Sequence, residues 1–184
     1  MTSLKPHAVL IAVASRHGST AEIAGRIGRR LREELPAPRW HVQVEDADAI
    51  DTIEGYDAVV LGSAVYVGRW LKSARTLLRK AEVAPPAGLW LFSSGLATAP
   101  QHDAPGAAAV RAAERLGAKG LVTFPGRIEP GSLGPAEHLL TTATHVADGD
   151  FRDWDAVDAW ARGIAHVLSS TALEDRPSGA SRQS

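Results

Sequence analysis

The chain has 184 residues, a length that favours one domain with room for a sizeable core. Twenty Lys plus Arg against 21 Asp plus Glu leave a net charge of −1, so no global field recommends nucleic acid or another polyanion as a partner. With no Cys at all, disulfides, thiolate catalysis, Cys-ligated zinc and iron–sulfur clusters are excluded, and any redox chemistry must be borrowed from a cofactor.

The first element is the apolar run 8–14 (AVLIAVA), continuous and without period, as a strand buried on both faces should be. It is far too short to cross a bilayer, which takes roughly 20 apolar residues, and its flanks do not make a signal peptide, so a cytoplasmic location is expected. Ile23, Ala24, Ile27, Leu31 and Leu35 then share one face of a first helix whose other face carries Arg26, Arg29, Arg30 and Glu33. A weaker strand candidate, 40–44, precedes a clear one at 58–61 (AVVL), and the spacing predicts a helix over 70–81. Further strands are expected at 89–92 (LWLF) and 121–124 (LVTF), with a helix over 107–116 between them. Val157, Trp160, Ala161, Ile164, Val167 and Leu168 recur at helical spacing behind Asp153, which is placed to cap the last helix.

Strands alternating with helices imply a parallel sheet covered on both faces, an α/β three-layer sandwich. The domain is expected over 1–172, with a flexible tail over 173–184 that is rich in Ser, Gly and charge. One segment breaks the alternation. The Gly- and Pro-punctuated stretch 126–150, with a short helix expected over 135–146, reads as an insertion before the last helix that covers the ligand site or docks a substrate; a structural extension that pads the edge strand is the competing reading.

Ligands in such sheets bind beyond the carboxyl ends of the strands. The turn after the first strand, Ser15-Arg16-His17-Gly18-Ser19-Thr20, joins hydroxyls and a Gly directly to a helix N-terminus, which suits a phosphate monoester; a plain helix cap by Ser19 or Thr20 is the competing reading. The spacing matches neither G-x-G-x-x-G nor G-x-x-x-x-G-K-[ST], which argues against dinucleotides and nucleoside triphosphates. After the third strand, Ser63-Ala64-Val65-Tyr66-Val67-Gly68-Arg69-Trp70 offers small residues, aromatics and a Gly to a flat heteroaromatic ring, although Tyr66 and Trp70 also suit ordinary packing. Ser93-Ser94-Gly95-Leu96 after the fourth again presents small residues and N–H groups. No metal site is expected from the seven His, Gly131-Ser132-Leu133-Gly134 only half-imitates a hydrolase nucleophile elbow, and a phospho-acceptor receiver would need acids where Ser15 and Ser63 stand.

A phosphate, a ring face and a ring edge held by three successive strand ends resemble the flavodoxin-like flavoproteins. The likeness runs through VLIAVASRHGSTAEIAGRIGRRL and LGSAVYVGRW, and the closing GDFRDWDAVDAWARGIA is similar to the branch containing quinone-linked protoporphyrinogen dehydrogenases, which also carry an insertion before the last helix. The resemblance implies a five-stranded parallel sheet of order 2-1-3-4-5 and FMN as cofactor. It implies that Ser15, Arg16, His17, Gly18, Ser19 and Thr20 hold the phosphate, that Ser63, Ala64, Tyr66, Val67 and Gly68 line the isoalloxazine, and that Ser93, Ser94, Gly95 and Leu96 meet its pyrimidine side. The expected function is an FMN-dependent oxidoreductase passing electrons between a reduced donor and a quinone- or porphyrinogen-type partner, with no acid–base residue assigned. The alternatives are an electron shuttle docking on other redox proteins and a non-catalytic FMN-binding module.

Overall fold

Strand β1 (His7–Ala14) is buried along both of its faces, and the continuous apolar run follows from that. Val9, Ile11 and Val13 enter one core with Ile23, Ala24, Ile27 and Leu31 of helix α1 (Ser19–Glu34) and with Val157, Ala161, Ile164 and Leu168 of the last helix, α4 (Trp154–Glu174). Leu10, Ala12 and Ala14 enter a second core with Leu77 and Leu78 of α2 (Lys72–Val83) and Ala109 and Ala112 of α3 (Ala107–Leu116). The computed structural model describes residues 6–66, 68–95, 106–128 and 149–174.

The remaining main strands are β2 (Trp40–Asp46), β3 (Ala58–Tyr66), β5 (Gly88–Gly95) and β6 (Gly120–Pro125), and they pair in the order β2-β1-β3-β5-β6, all parallel. Counting parallel strands alone, this is the expected 2-1-3-4-5, and helices on both faces make the three-layer sandwich. Between β3 and α2 the chain makes a short antiparallel return, β4 (Arg69–Trp70), in which Val65 faces Trp70 and Tyr66 faces Arg69. Trp70 therefore ends a hairpin, and the helix expected from residue 70 begins at Lys72. A second small sheet pairs β7 (Arg127–Ile128) with β8 (Gly149–Asp150), antiparallel, at the two ends of the expected insertion. The helix expected over 135–146 lies outside the described residues. So does most of the expected tail, although α4 itself runs on to Glu174.

Asp153 caps α4 as its position suggests, its carboxylate accepting from the Ala156 amide at 2.9 Å. Two other expectations for the helices change. At roughly 100° per residue, Val167 falls well off the centre of the buried face of α4 and is 36% exposed, whereas Asp158 is turned inward and only 5% exposed. That buried carboxylate explains why Arg26 and Arg30 are not simply solvated. Arg26 Nε and Arg30 Nη2 each donate to it at 2.7 Å, tying α1 to α4 beside the first core.

Gly62 of β3 lies under the ring of Phe92, whose nearest carbon would stand 2.0 Å from an added Cβ. The ring has little room to yield, because Phe124 and Trp160 pack on it. Gly62→Ala is expected to cost about 2 kcal/mol by overpacking, read from denaturant unfolding.

The Asp158 carboxyl is held well below the ordinary range by the hydrogen bonds from Arg26 and then Arg30. The Asp150 carboxyl is lowered to about 2 by the Arg152 guanidinium. Both groups bind protons more readily in the unfolded chain, so their contribution is complete above about pH 5 and is lost as pH falls from about 4 through 2. Asp158→Asn should lower stability at pH 7 by about 2 kcal/mol and flatten the acid limb of the stability curve, measured by urea unfolding at a series of pH values.

Candidate functional site

Parallel pairing sets the carboxyl ends of the strands level with one another. Ala14 of β1 pairs with Ser63 of β3, Ser63 with Ser93 of β5, and Ser93 with Thr123 of β6. The three loops singled out from the sequence therefore leave the sheet from one row, each within a strand spacing or two of the others.

In the first loop the Ser15 hydroxyl accepts from the Gly18 amide at 3.2 Å, and Gly18 takes a left-handed conformation at φ 83° as the cap residue of α1. No side chain caps the helix there, and its first helical bond runs from the Glu22 amide to the Gly18 carbonyl, so the amides of residues 19–21 carry no helical partner. Nothing lies within 4 Å of where a Cβ of Gly18 would stand, so the loop opens onto clear space. Thr20 is buried. Ser19 has another duty: its hydroxyl accepts from the Arg127 amide at 3.0 Å.

The second loop leans on the first. The Arg16 guanidinium lies 5.0 Å from the centroid of the Tyr66 ring, and the His17 ring meets Tyr66 edge-on at 6.1 Å. Gly68, at φ 68° with nothing within 4 Å of a would-be Cβ, turns the hairpin in the open. Ser63 and Ser93, expected to line a ring, are fully buried, and both hydroxyls are engaged behind the loop. Ser63 Oγ accepts from the Leu71 amide at 3.0 Å and donates to the Ala64 carbonyl, while Ser93 Oγ accepts from Trp70 Nε1 at 2.9 Å. Trp70, 3% exposed, is thus a brace for the hairpin. Ala64 and Tyr66 stay on the loop side of that brace, and Val67 lies outside the described residues.

In the third loop Ser94 is nearly buried and the Gly95 carbonyl accepts from the Gly126 amide at 2.8 Å; Leu96 lies outside the described residues. A Cβ on Gly126 would stand 3.0 Å from the Gly95 carbonyl oxygen, 3.3 Å from Ser94 Oγ and 3.7 Å from Ser19 Oγ. Gly126 is where the first and third loops close on β6, and sequence reasoning placed it only in the insertion. Beyond it, Glu22 in the first turn of α1 receives Arg127 at 3.0 Å and Arg152 at 2.6 Å, and Arg152 also grips Asp150 and lies over Trp154. The β7–β8 stem is therefore fastened beside the first loop. Among the described residues there is no cluster fit to hold a metal ion, and no helix is long and apolar enough to cross a membrane. A hollow of about 350 Å³ lined by Asp51, Glu54, Thr76, Arg79 and Val83 lies at the other end of α2, away from these loops.

Removing the brace tests its role. Trp70→Phe keeps the ring and deletes the donor to Ser93; it should cost about 1 kcal/mol in stability and speed hydrogen exchange at the Leu71 amide, with the exchange of β1 amides changed only in proportion to global stability.

Comparison with known proteins bears on the fold and the family. A family profile described as a flavodoxin domain matches residues 10–140. No curated protein sequence matches the chain. Among solved structures, a Streptococcus pneumoniae flavodoxin superposes with a TM-score of 0.61 at 14% identity over 87% of this chain and 99% of its own. A Fusobacterium nucleatum flavodoxin bound to flavin mononucleotide gives 0.55 at 16% identity over 87% and 98%. Rubredoxin oxygen:oxidoreductase from Desulfovibrio gigas gives 0.61 at 15% identity, matching 90% of this chain but only 37% of that longer protein. The fold is flavodoxin-like, and the chain belongs to the flavodoxin-domain family.

Proposed function

We propose that this flavodoxin-domain protein binds FMN noncovalently at the ends of β1, β3 and β5 and acts as an FMN-dependent oxidoreductase between a reduced donor and a quinone- or porphyrinogen-type partner. The observation that carries the reading is the shared row of strand ends, with two left-handed glycines, Gly18 and Gly68, each facing clear space. When bound, FMN supplies the electron-carrying ring that a chain without Cys lacks.

The chain's own part is to bind and orient. Ser15 shapes the first loop, Gly18 gives its turn, and the amides of residues 19–21 at the positive end of α1 favour a phosphate, with Arg16, His17, Ser19 and Thr20 around it. Ala64, Tyr66, Val67 and Gly68 line the ring, and Ser94, Gly95 and Leu96 meet its polar edge. Ser63 and Ser93 act from behind, through Leu71 and Trp70. The quinone- or porphyrinogen-type partner rests on the similarity of the closing segment alone. A second reading, an electron carrier that docks on other redox proteins, is favoured by the cations around Tyr66 described below. Steady-state reduction of menadione by the loaded protein separates the two, since a carrier shows no turnover of its own.

Ser15→Asp tests the phosphate site without dismantling it, because a carboxylate can accept the Gly18 amide as the hydroxyl does. The new charge should weaken FMN about 100-fold, roughly 3 kcal/mol, and leave riboflavin within about threefold, read from flavin fluorescence quenching. A wild-type chain that takes up neither flavin overturns the reading.

A further inference from the structure

We infer that Arg69, Lys72 and Arg75, with Arg16 beside them, form a docking surface for the acidic face of a protein redox partner. The inference deepens the proposed function and rests on it for its meaning, since the surface adjoins the loops assigned to the flavin ring.

The geometry begins at Tyr66. Arg16 lies over its ring, and Arg69 stands directly across from it in the β3–β4 hairpin. Lys72 follows in the first turn of α2, and Arg75 stands one turn further along the same helix. Arg16, Arg69 and Lys72 are exposed and Arg75 is half-buried. None of Arg69, Lys72 and Arg75 makes an ion pair among the described residues, whereas Arg26, Arg30, Arg115, Arg127 and Arg152 all do.

Helix stability does not explain these cations. The positive end of a helix prefers acids, and α1 and α4 carry Glu22 and Asp155 in their first turns; α2 has no acid there and begins with Lys72. Further down α2 the basic character fades. Lys80 is bonded to the carbonyls of Ile50 and Asp51, and Arg79 shares its hollow with Asp51 and Glu54. Arg69, Lys72 and Arg75 thus place three cations, without an ion pair among the described residues, within one hairpin and one helix turn at the end of α2 that meets the ring loop.

Several observations favour an acidic protein over other polyanions. The surface spans a hairpin and a helix turn, with Arg69 and Lys72 exposed on it, so it has the extent of a protein contact more than of a small-molecule pocket. It offers no further aromatic ring for base stacking, Tyr66 being assigned to the flavin ring and Trp70 being buried. The exposed large apolar residues among those described, Val83, Phe151 and Val167, lie elsewhere, so it has no apolar anchor for a lipid surface. Exposed Glu45, Asp46 and Asp48 at the end of β2 lie two strands away from β3, about 10 Å, which makes the edge bipolar and orients an incoming partner.

The test uses fluorescently labelled polyglutamate as the acidic probe, with the full-length chain both loaded with FMN and without it, read by fluorescence anisotropy. Polyglutamate should bind at low ionic strength and weaken with salt, and Arg69→Glu combined with Lys72→Glu should raise its Kd at least about tenfold. Arg29→Glu combined with Arg162→Glu, the same charge change on exposed positions of the α1/α4 layer, should leave the Kd within about twofold. Circular dichroism confirms that each variant is folded. Equal loss in both double variants, or no loss in either, overturns the proposal. Tighter binding of a DNA duplex than of polyglutamate, or of phosphatidylserine vesicles with the same dependence on Arg69 and Lys72, also overturns it in favour of those partners. If the chain takes up no FMN while polyglutamate binding still depends on Arg69 and Lys72, the surface stands and the flavin reading falls.

Discussion

The pairing register of β1, β3 and β5 is the constraint on which the candidate site depends. It puts Ala14, Ser63 and Ser93 in one row, so that three loops leave the sheet at one level. In a sheet buried on both faces a one-residue slip would send every side chain into the wrong core, and the two cores of this protein therefore hold the register firmly. The same row decides what the serines do. Fully buried near the carboxyl ends of their strands, Ser63 and Ser93 need partners, and they find them in the Leu71 amide and the Trp70 indole, which folds the β3–β4 hairpin back over the strand ends. Site geometry and core satisfaction are thus met by the same bonds.

A tension at the first loop is resolved in a similar way. Glu22 suits the first turn of α1 by the sign of the helix dipole, yet a carboxylate there works against an anion bound at the same helix end. Arg127 of β7 and Arg152, two residues beyond β8, offset that charge. Arg152 reaches Glu22 with its side chain only 4% exposed and stacked on Trp154, while the carboxylates of Glu22 and Asp150 that it holds keep one side in solvent. The Arg127 amide on Ser19 completes the attachment. The stem that bounds the insertion is therefore part of the electrostatic environment of the loop beside it.

What the sequence made legible was whatever burial repeats along a segment. Runs such as AVLIAVA announce a strand covered on both faces, and the i, i+4, i+7 spacing of Val157, Ala161 and Ile164 announces the face of α4. The alternation of strands and helices and the three candidate loops followed from these, and the order of strands from the resemblance to the flavodoxin-like family. Features made by single long-range bonds were not legible. Trp70 sits in a stretch that reads as helical, and only the Ser93 hydroxyl, 23 positions away, fixes it in the hairpin. Arg26 and Arg30 fall on the polar face of α1 in the sequence pattern, and the bonds that tie them to Asp158 span 132 and 128 positions. Two-residue strands such as β4, β7 and β8 are shorter than any periodicity.

Net charge illustrates the same limit from another side. A total of −1 suggests a surface without direction, and as a sum it is correct. Its distribution is uneven, because the layers neutralise their arginines differently. In the α1/α4 layer Arg26 and Arg30 share Asp158, and Arg30 also meets Glu33, so the charge of that pair is taken up in holding two helices together, while Arg29 and Arg162 stay exposed. In the α2/α3 layer no acid among the described residues pairs with Arg69, Lys72 and Arg75, while Glu45, Asp46 and Asp48 stand exposed at the end of β2. Screening at physiological salt acts over about 8 Å, less than the spacing between those two groups, so an approaching partner meets each as a separate field. The steering that the sum denies is therefore present locally, at the hairpin that carries Tyr66.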